Sequence, residues 1–152
     1  MLIPRMSARN GLARRARPML ADVIGTLHHV ELWVPELGRA AAEWGWLLGR
    51  LGYEQFQNWE QGRSWQLGNT YIVVEQSPAL TAAGHDRRHP GLNHLAFHAG
   101  GRKDVDALTV EGPSHGWTLL FGDKHPHAGG TDHYAAYLAN TDGFEVELVA
   151  AS

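Results

Sequence analysis

The stretch Leu-Asn-His-Leu-Ala-Phe at residues 92–97 decides the fold, because a similar stretch, Leu-His-His-Val-Glu-Leu, stands near the start of the chain. The third residue of each stretch is a histidine, and His94 follows His29 by 65 residues (94 − 29). Each half also ends in Val-Glu, and Glu147 follows Glu75 by a similar 72 residues (147 − 75). This pattern predicts an internal duplication with one small insertion.

The first copy, module one, is predicted to fold as a β-α-β-β-β unit over about residues 26–76. Apolar and polar residues alternate over residues 26–34, which predicts a strand with one apolar face. Apolar residues at helical spacing then predict a helix over residues 39–51. Three short strands, separated by turn residues, are predicted at residues 53–57, 63–67 and 70–76.

The second copy, module two, predicts the same order of elements over about residues 92–150. A proline- and glycine-containing segment, residues 77–91, is predicted to link the modules. The glycine-rich loop at residues 125–132 supplies the length difference and is placed to cover a site. The predicted elements are strands at residues 92–99, 117–121, 133–138 and 144–149, with a helix at residues 103–110.

Composition limits the functions open to these 152 residues. With 13 basic and 16 acidic residues and a net charge of −3, nothing predicts binding to nucleic acid or to an anionic membrane. There is no cysteine, so any metal must be bound by His, Asp or Glu. No apolar run approaches the roughly 20 residues that a membrane span needs. We therefore expect a cytoplasmic protein whose partner is a small molecule or a second copy of the chain.

Residues 1–21 are predicted to be a basic extension in front of a single domain at residues 22–150. Five arginines and no acidic residue occur up to Pro18. The pair Arg14-Arg15 is similar to a twin-arginine export signal, but Pro18 and the lack of a long apolar stretch argue against one. An extra N-terminal tail is favoured over a nucleic-acid-binding arm.

Strand alternation indicates that four polar side chains share one side of the predicted sheets. His29 and His94 alternate with apolar neighbours, and so do Glu75 and Glu147, so all four are expected to project away from the helices. Two imidazoles and two carboxylates suit a divalent metal such as Zn, Ni, Co, Mn or Fe. Each residue alone is also explained as a solvated strand residue, and the repeat also fits an ancestral site that has lost its metal.

Several of these motifs, in this order, resemble the vicinal oxygen chelate superfamily, the group of glyoxalases, bleomycin-resistance proteins and extradiol dioxygenases. The likeness includes the stretches around His29 and His94, Leu-Gly-Arg-Leu-Gly-Tyr at residues 48–53, and Asp-Gly-Phe-Glu-Val-Glu-Leu at residues 142–148. It covers about residues 27–150. The resemblance implies an α+β fold of two tandem βαβββ modules that form a curved mixed sheet around a cleft.

The resemblance also implies a set of site residues. His29, His94 and Glu147 match the positions that bind metal in the metal-dependent members, and Glu75 matches the fourth ligand of glyoxalase I-like members. The implied function is an isomerase or lyase for a small oxygenated substrate, in which the metal stabilises an enediolate and Glu147 or Glu75 moves the proton. A homodimer is implied as well, and whether the cleft forms within one chain or across the dimer stays open.

A dioxygenase that uses Fe(II) is the first alternative. Tyr137 lies ten residues before Glu147 (147 − 137), as a tyrosine beside the metal ligands does in extradiol enzymes, and His127 lies near the place of a histidine beside the ligands of those enzymes. Such groups hydrogen-bond a metal-bound substrate or its oxygen. The simpler interpretation, a strand aromatic and a polar loop residue, is favoured here.

A metal-free binding module, as in drug-sequestering members, is the second alternative. Trp33 shares the face of His29, Tyr71 shares the face of Glu75, and Trp65 lies near the hairpin of module one. These rings are predicted to form aromatic walls for a planar ligand. Packing in the core or at its rim is the competing explanation.

Overall fold

Module one forms a four-stranded sheet covered by one helix in a computed structural model that describes residues 23–82 and 84–152. The predicted basic extension lies outside the described residues. In the sheet, β1 is parallel to β4 and the other pairs are antiparallel, in the order β1-β4-β3-β2. The elements are β1 (His29–Trp33), α1 (Leu37–Arg50), β2 (Glu54–Trp59), β3 (Gly62–Leu67) and β4 (Thr70–Glu75).

Module two repeats this arrangement in the order β5-β8-β7-β6, again with one parallel pair, β5 and β8. The predicted α+β fold of two tandem βαβββ modules is therefore confirmed, with the strands divided between two four-stranded mixed sheets. The elements are β5 (His94–His98), α2 (Arg102–Glu111), a 3₁₀ helix (Gly112–His115), β6 (Thr118–Leu119), β7 (Ala135–Ala139) and β8 (Glu145–Val149).

Local chemistry explains where α1 begins. The Glu36 carboxylate accepts hydrogen bonds from the backbone N–H groups of Gly38 (2.8 Å) and Arg39 (2.8 Å). These bonds satisfy donors that a helix start leaves unpaired, so the helix begins two residues earlier than the apolar pattern alone indicates. After α1, Gly52 adopts a φ of +89°, which a glycine tolerates at low cost, and the chain turns into β2.

One apolar core joins the two modules. The fully buried rings of Trp44 and Trp117 meet edge to face with their centroids 5.0 Å apart. The Trp117 indole N–H donates a 3.0 Å hydrogen bond to the backbone carbonyl of Glu43, and Arg39 forms a 2.5 Å ion pair with Asp142. Because this core lies under the helices, the opposite faces of both sheets remain open for a functional site. Neither helix in the described residues is long and apolar enough to cross a membrane.

Candidate functional site

Glu147, in the middle of β8, is the centre of a polar cluster in module two. Its side chain faces away from the core, because its neighbours Val146 and Leu148 point into the core on the other face. The residue is only 8% exposed, so its carboxylate needs polar partners. Its register partners are Ala96 on β5 and Tyr137 on β7, which brings both neighbouring strands to the carboxylate.

Three side chains contact the Glu147 carboxylate. Nε2 of His94 lies 3.2 Å from Oε2, and the Tyr137 hydroxyl donates a 2.8 Å hydrogen bond to Oε1. His133, which lies just before β7, bonds the same Oε1 through its Nε2. We call these four residues the Glu147 cluster. The structure thus brings together His94, Glu147 and Tyr137, all of which the sequence analysis singled out, and adds His133.

The cluster changes the acid–base properties of its members. Burial raises the pKa of Glu147, but hydrogen bonds from His133 and Tyr137 and the nearby imidazoles outweigh that effect, so its pKa lies below the ordinary value. Burial and the hydrogen bond to Glu147 raise the pKa of Tyr137 to about 12. At neutral pH, Glu147 is therefore a carboxylate and Tyr137 a protonated hydrogen-bond donor.

The glycine-rich loop that the sequence placed over a site does pack on the cluster. A Cβ added to Gly129 would lie 2.7 Å from Cδ2 of His133 and 2.7 Å from the Tyr137 hydroxyl, closer than real Cβ atoms approach other groups. His127 in the same loop contacts the backbone oxygen of His133 at 3.2 Å and the ring of Tyr134. His127 therefore supports the loop, while His133 reaches the carboxylate itself.

The linker adds a second charged contact beside the cluster. Glu145 is two residues before Glu147 on β8 and is level with His94. It is buried and forms a 2.9 Å ion pair with Arg87 of the linker. The sequence analysis had assigned the linker no role near the site. The structure shows that one of its arginines balances a buried carboxylate there.

His29 occupies a different environment in module one. Its ring stacks on Tyr71, its register partner on β4, with centroids 4.9 Å apart and planes 6° apart. Its Nδ1 lies 2.9 Å from Nδ1 of His28. The imidazole is exposed and lies among aromatic neighbours. In the described residues, the structure records no contact between this ring and a carboxylate.

Glu75 does not occupy the position in module one that Glu147 occupies in module two. Glu147 pairs with Ala96, which is two residues after His94. The residue two after His29 is Glu31, and its partner on β4 is Val73. Glu75 lies two pairs farther along, level with Trp33. Burial and the neighbouring Glu31 carboxylate raise the pKa of Glu75.

Of the four predicted metal ligands, His94 and Glu147 are in contact in the part of the chain that the structure describes. Their donor types suit a divalent metal, and the 3.2 Å between His94 Nε2 and Glu147 Oε2 matches the roughly 3.0–3.4 Å expected between two donors bound to one ion. As the side chains lie, however, residues 23–82 and 84–152 contain no group of three or more His, Asp or Glu arranged to hold a metal. The four-ligand site stays a prediction.

Two of the three predicted aromatic contacts lie on the open face of module one. Trp33 is 43% exposed and donates a 3.1 Å hydrogen bond to Glu31, and Tyr71 stacks on His29. Trp65 requires a correction. It is 7% exposed and lies on the helix-covered face, where its ring would be 3.3 Å from a Cβ added to Gly45 of α1. Trp65 belongs to the core because β3 turns this large apolar ring towards α1.

A cavity of about 540 Å³ lies between β1 and the linker. Trp33, Glu31 and the linker residues His85 and Asp86 contribute to its wall. The lining contains none of the four predicted metal ligands. It is separate from the Glu147 cluster in its residues and offers aromatic and carboxylate groups to a small molecule.

The site residue that sequence reasoning missed is His133, which it placed at the start of a strand without a role in the site. A signal was present in the pattern. In the predicted strand at residues 133–138, His133 and Tyr137 have the same parity and therefore share a face. Since Tyr137 was already placed near Glu147, that parity pointed to His133 as well.

The fold agrees with what comparison with known proteins shows. The family model of the Glyoxalase/Bleomycin resistance protein/Dioxygenase superfamily matches residues 28–137, and the chain belongs to this superfamily.

Individual relatives support the assignment. The Bacillus subtilis (strain 168) protein YqjT is 43% identical over 128 residues, which is 83% of this chain and 99% of that protein. A crystal structure of a glyoxalase-type protein from Bacillus halodurans is 44% identical, with a TM-score of 0.80 over 84% of this chain and 97% of that chain. The fosfomycin resistance protein FosX from Listeria monocytogenes, complexed with Mn(II) and sulfate, shares the fold at 18% identity, with a TM-score of 0.60 over 86% of this chain and 93% of that chain.

Proposed function

We propose that this protein is a glyoxalase-like enzyme that moves a proton on a small oxygenated substrate in an isomerase- or lyase-type reaction, with a divalent metal (Zn, Ni, Mn or Fe) as cofactor. The observation that carries the proposal is the Glu147 carboxylate, nearly buried and contacted by His94, His133 and Tyr137 on the open face of the sheet. Buried carboxylates with several polar partners are typical of acid–base sites. Membership of the superfamily supports the reaction class.

His94 and Glu147 are the residues of this cluster that would hold the metal. A divalent ion there would polarise adjacent substrate oxygens and make the neighbouring C–H group more acidic. Glu147 is ionised at neutral pH because its pKa is lowered, so it is able to accept a proton. The Tyr137 hydroxyl stays protonated and holds the carboxylate in one orientation through its 2.8 Å hydrogen bond. These side chains stand on paired strands, which position them precisely.

Metal analysis of matched variants tests this proposal. The purified chain is chelated and reloaded with Zn(II), Ni(II), Mn(II) or Fe(II), and metal per chain is measured for wild type, His94→Ala and Glu147→Ala. His98→Ala is the control, because His98 is an exposed histidine on the same strand, about 13 Å along from His94. We expect about one metal per chain in wild type and control, and its loss in the other two variants with unchanged circular dichroism.

Two results would contradict the proposal. Unchanged metal content in both His94→Ala and Glu147→Ala would place any metal elsewhere. No binding by wild type under any loading would remove the metal from the mechanism. A metal-free binding module would then be the better account, with the cavity beside Trp33 as its binding site. Quenching of tryptophan fluorescence by small aromatic compounds would test that account.

An Fe(II) dioxygenase is the second candidate function, and the Tyr137–Glu147 hydrogen bond of 2.8 Å favours it. A tyrosine ten residues before the carboxylate is the spacing seen in extradiol enzymes, and here the two groups are in contact. Oxygen uptake separates the two candidates, because a dioxygenase consumes O₂ with its catechol substrate and an isomerase consumes none. Oxygen consumption by the Fe(II)-loaded protein with a catechol, lost in Tyr137→Phe, would favour the dioxygenase.

We also propose that the protein forms a homodimer. The open side of β1, an edge strand, supports this, because Trp33 and the preceding Leu27 are large apolar side chains that remain exposed. Light scattering coupled to size-exclusion chromatography measures the mass directly. A mass near 17 kDa, that of one chain, would rule the dimer out.

A further inference from the structure

We propose that the cavity between β1 and the linker is a second ligand site, which binds a small organic ammonium compound. Its volume of about 540 Å³ lies within the range of roughly 300–1,000 Å³ that is usual for small-molecule sites. The residues that line it include none of the Glu147 cluster. This site is therefore independent of the proposed function, and either can fail without the other.

The cavity lies where the two modules and the linker meet, and its floor is apolar. Leu32 of β1 and Phe144, which precedes β8, are buried side chains of this floor. Val30 of β1 and Leu92, just after the linker, are partly buried beside them. Ligand sites are common at such junctions, because neighbouring units leave concave and partly apolar surfaces between them. The floor therefore suits the hydrocarbon part of a ligand.

Glu31 gives the rim of this cavity a negative charge that no cation balances. Its carboxylate accepts a 3.1 Å hydrogen bond from the Trp33 indole N–H. It also lies close to the Glu75 carboxylate, whose pKa is raised by burial and by Glu31. The ion pairs of the described residues do not include Glu31. Of the described residues that line the cavity, none is Lys or Arg. A bound cation would balance the charge of Glu31.

Trp33 indicates that the cation is organic. The residue stands beside Glu31 at the same rim and remains exposed, although it is large and apolar. The face of an indole ring attracts an ammonium group more strongly than that of phenylalanine or tyrosine. A metal ion is small and strongly hydrated, so it would leave both the indole and the apolar floor unused. An alkylammonium group contacts the carboxylate, the indole and the floor together.

The wall on the linker side contains a polar atom that has no partner. The His85 ring stacks on Phe144, with centroids 4.3 Å apart and planes 6° apart, which holds this wall in place. Its Nε2 is buried and has no hydrogen-bond partner in the described residues. Such an atom is costly, so a ligand hydroxyl or amide that reaches it adds affinity. The neighbouring Asp86 is already paired with Arg88 at 3.1 Å and contributes less charge to the cavity than Glu31 does.

Isothermal titration calorimetry of the metal-free protein with choline tests this site. Choline combines a quaternary ammonium group with a hydroxyl, and the alcohol in which carbon replaces its nitrogen is an uncharged probe of the same shape. We expect saturable binding of choline with a dissociation constant of about 1 mM or below. The uncharged alcohol should bind at least about fivefold more weakly. Added salt should weaken choline binding, because the rim is exposed to solvent.

Three variants locate the bound choline. Glu31→Gln should weaken binding at least about fivefold, which corresponds to the attraction of two unit charges about 4 Å apart in water. Trp33→Leu should weaken it about threefold or more. Glu54→Gln is the matched control, because Glu54 is an exposed glutamate on β2, at the opposite edge of the same sheet. This control should stay within about twofold of wild type, and circular dichroism should show that all three variants fold.

The proposed site is wrong if the folded wild-type protein gives no saturable binding of choline. Binding of the uncharged alcohol as tight as that of choline would also overturn it, because the cavity would then be a purely apolar site. Equal affinities of Glu31→Gln and Glu54→Gln would place the bound choline elsewhere. His94→Ala and Glu147→Ala should bind choline as wild type does. Loss of choline binding in these two variants would assign it to the Glu147 cluster instead.

Discussion

The two modules share a chain path but differ in what their open faces carry. Each has one parallel strand pair, β1 with β4 and β5 with β8, and each buries its apolar residues under a helix. In module two, His94, Glu147, Tyr137 and His133 form one connected cluster. In module one, His29 stacks on an aromatic ring and Glu75 lies beside another carboxylate.

The two modules are therefore more alike in fold than in the residues of their open faces. A strand keeps its place as long as alternate positions are apolar, because burial of those side chains supplies most of the stabilisation. The open face is under no such constraint. At the position equivalent to Glu147, module one has Val73, which is as compatible with the sheet as a glutamate would be.

The strongest test of the contrast exchanges the two glutamates for glutamine, one at a time. Glu147→Gln should lower Zn(II) affinity at least about 100-fold, because it removes the charge and one donor oxygen at the centre of the cluster. Glu75→Gln should change it less than about threefold. Isothermal titration calorimetry at constant pH measures both. Equal losses in the two variants would show that the modules contribute symmetrically to one site.

A second experiment uses the glycines to compare the loop of module two with the helix of module one. Gly129→Ala should destabilise the protein by about 1–3 kcal/mol, because its Cβ would collide with His133 and the Tyr137 hydroxyl. Gly49→Ala, in α1 with open space around the added Cβ, should stabilise it by about 0.5–1 kcal/mol through helix propensity. Urea unfolding gives both free energies.

Gly129→Ala should also weaken Zn(II) binding, because it displaces His133, which contacts the Glu147 carboxylate of the proposed site. Gly49→Ala should leave binding as it is. A Gly129→Ala protein with wild-type stability and affinity would show that the loop does not press on the cluster in solution.

The fold was predictable from sequence because it depends on patterns of apolar and polar residues within short stretches of the chain. Alternation predicted β1 and β8, and the helical spacing of apolar residues predicted α1, whose Trp44 is fully buried. The strand predicted at residues 117–121 is present but shorter, because β6 has two residues and follows a 3₁₀ helix that no pattern indicated. There, Pro113 opens a tight turn and Trp117 packs into the core instead of continuing a strand.

The candidate site was only half predictable, because its composition depends on register. The repeat placed His94 and Glu147 correctly on one face, and alternation suffices for that. Whether Glu75 reaches His29 depends on which residues of β1 and β4 lie side by side, and a shift of two residues moves the carboxylate by about 7 Å. The sequence spacing of 46 residues between them (75 − 29) contains no information on that shift.

A smaller change in the free energy of unfolding is expected from Tyr137→Phe. Tyr71→Phe is the corresponding substitution in module one. The Tyr137 hydroxyl helps to lower the pKa of Glu147. A carboxyl whose pKa is lowered in the folded state stabilises the protein at pH values above its unfolded pKa, and this stabilisation is lost as the pH falls. Tyr137→Phe should therefore cost about 1 kcal/mol at pH 7 and less near pH 3. Tyr71→Phe keeps its ring on His29 and should change the free energy of unfolding by under about 0.5 kcal/mol.

Urea unfolding of the metal-free proteins at the two pH values measures this difference. A Tyr137→Phe cost that is the same at pH 3 and pH 7 would mean that the hydroxyl stabilises the fold by packing alone. Its hydrogen bond to Glu147 would then have no part in the effect.

The smallest expected change in the free energy of unfolding is that of Glu75→Gln, and its sign is opposite to that expected for Glu147→Gln. Burial and Glu31 raise the pKa of Glu75, so its contribution to stability is fully present below the unfolded pKa of about 4.3 and is lost as pH rises through the folded value. Glu75→Gln should thus stabilise the metal-free protein at pH 7 by about 0.5 kcal/mol or less, because the site is solvent-screened.

The stabilisation by Glu75→Gln should disappear near pH 3.5 and shrink in 1 M salt, since both conditions weaken the repulsion from Glu31. Urea unfolding at both pH values checks it, beside Glu147→Gln, which should be less stable than wild type at pH 7. If both substitutions destabilise the protein at pH 7, the carboxylate of module one has stabilising polar partners, as the carboxylate of module two does. The two open faces would then be functionally alike despite their different registers.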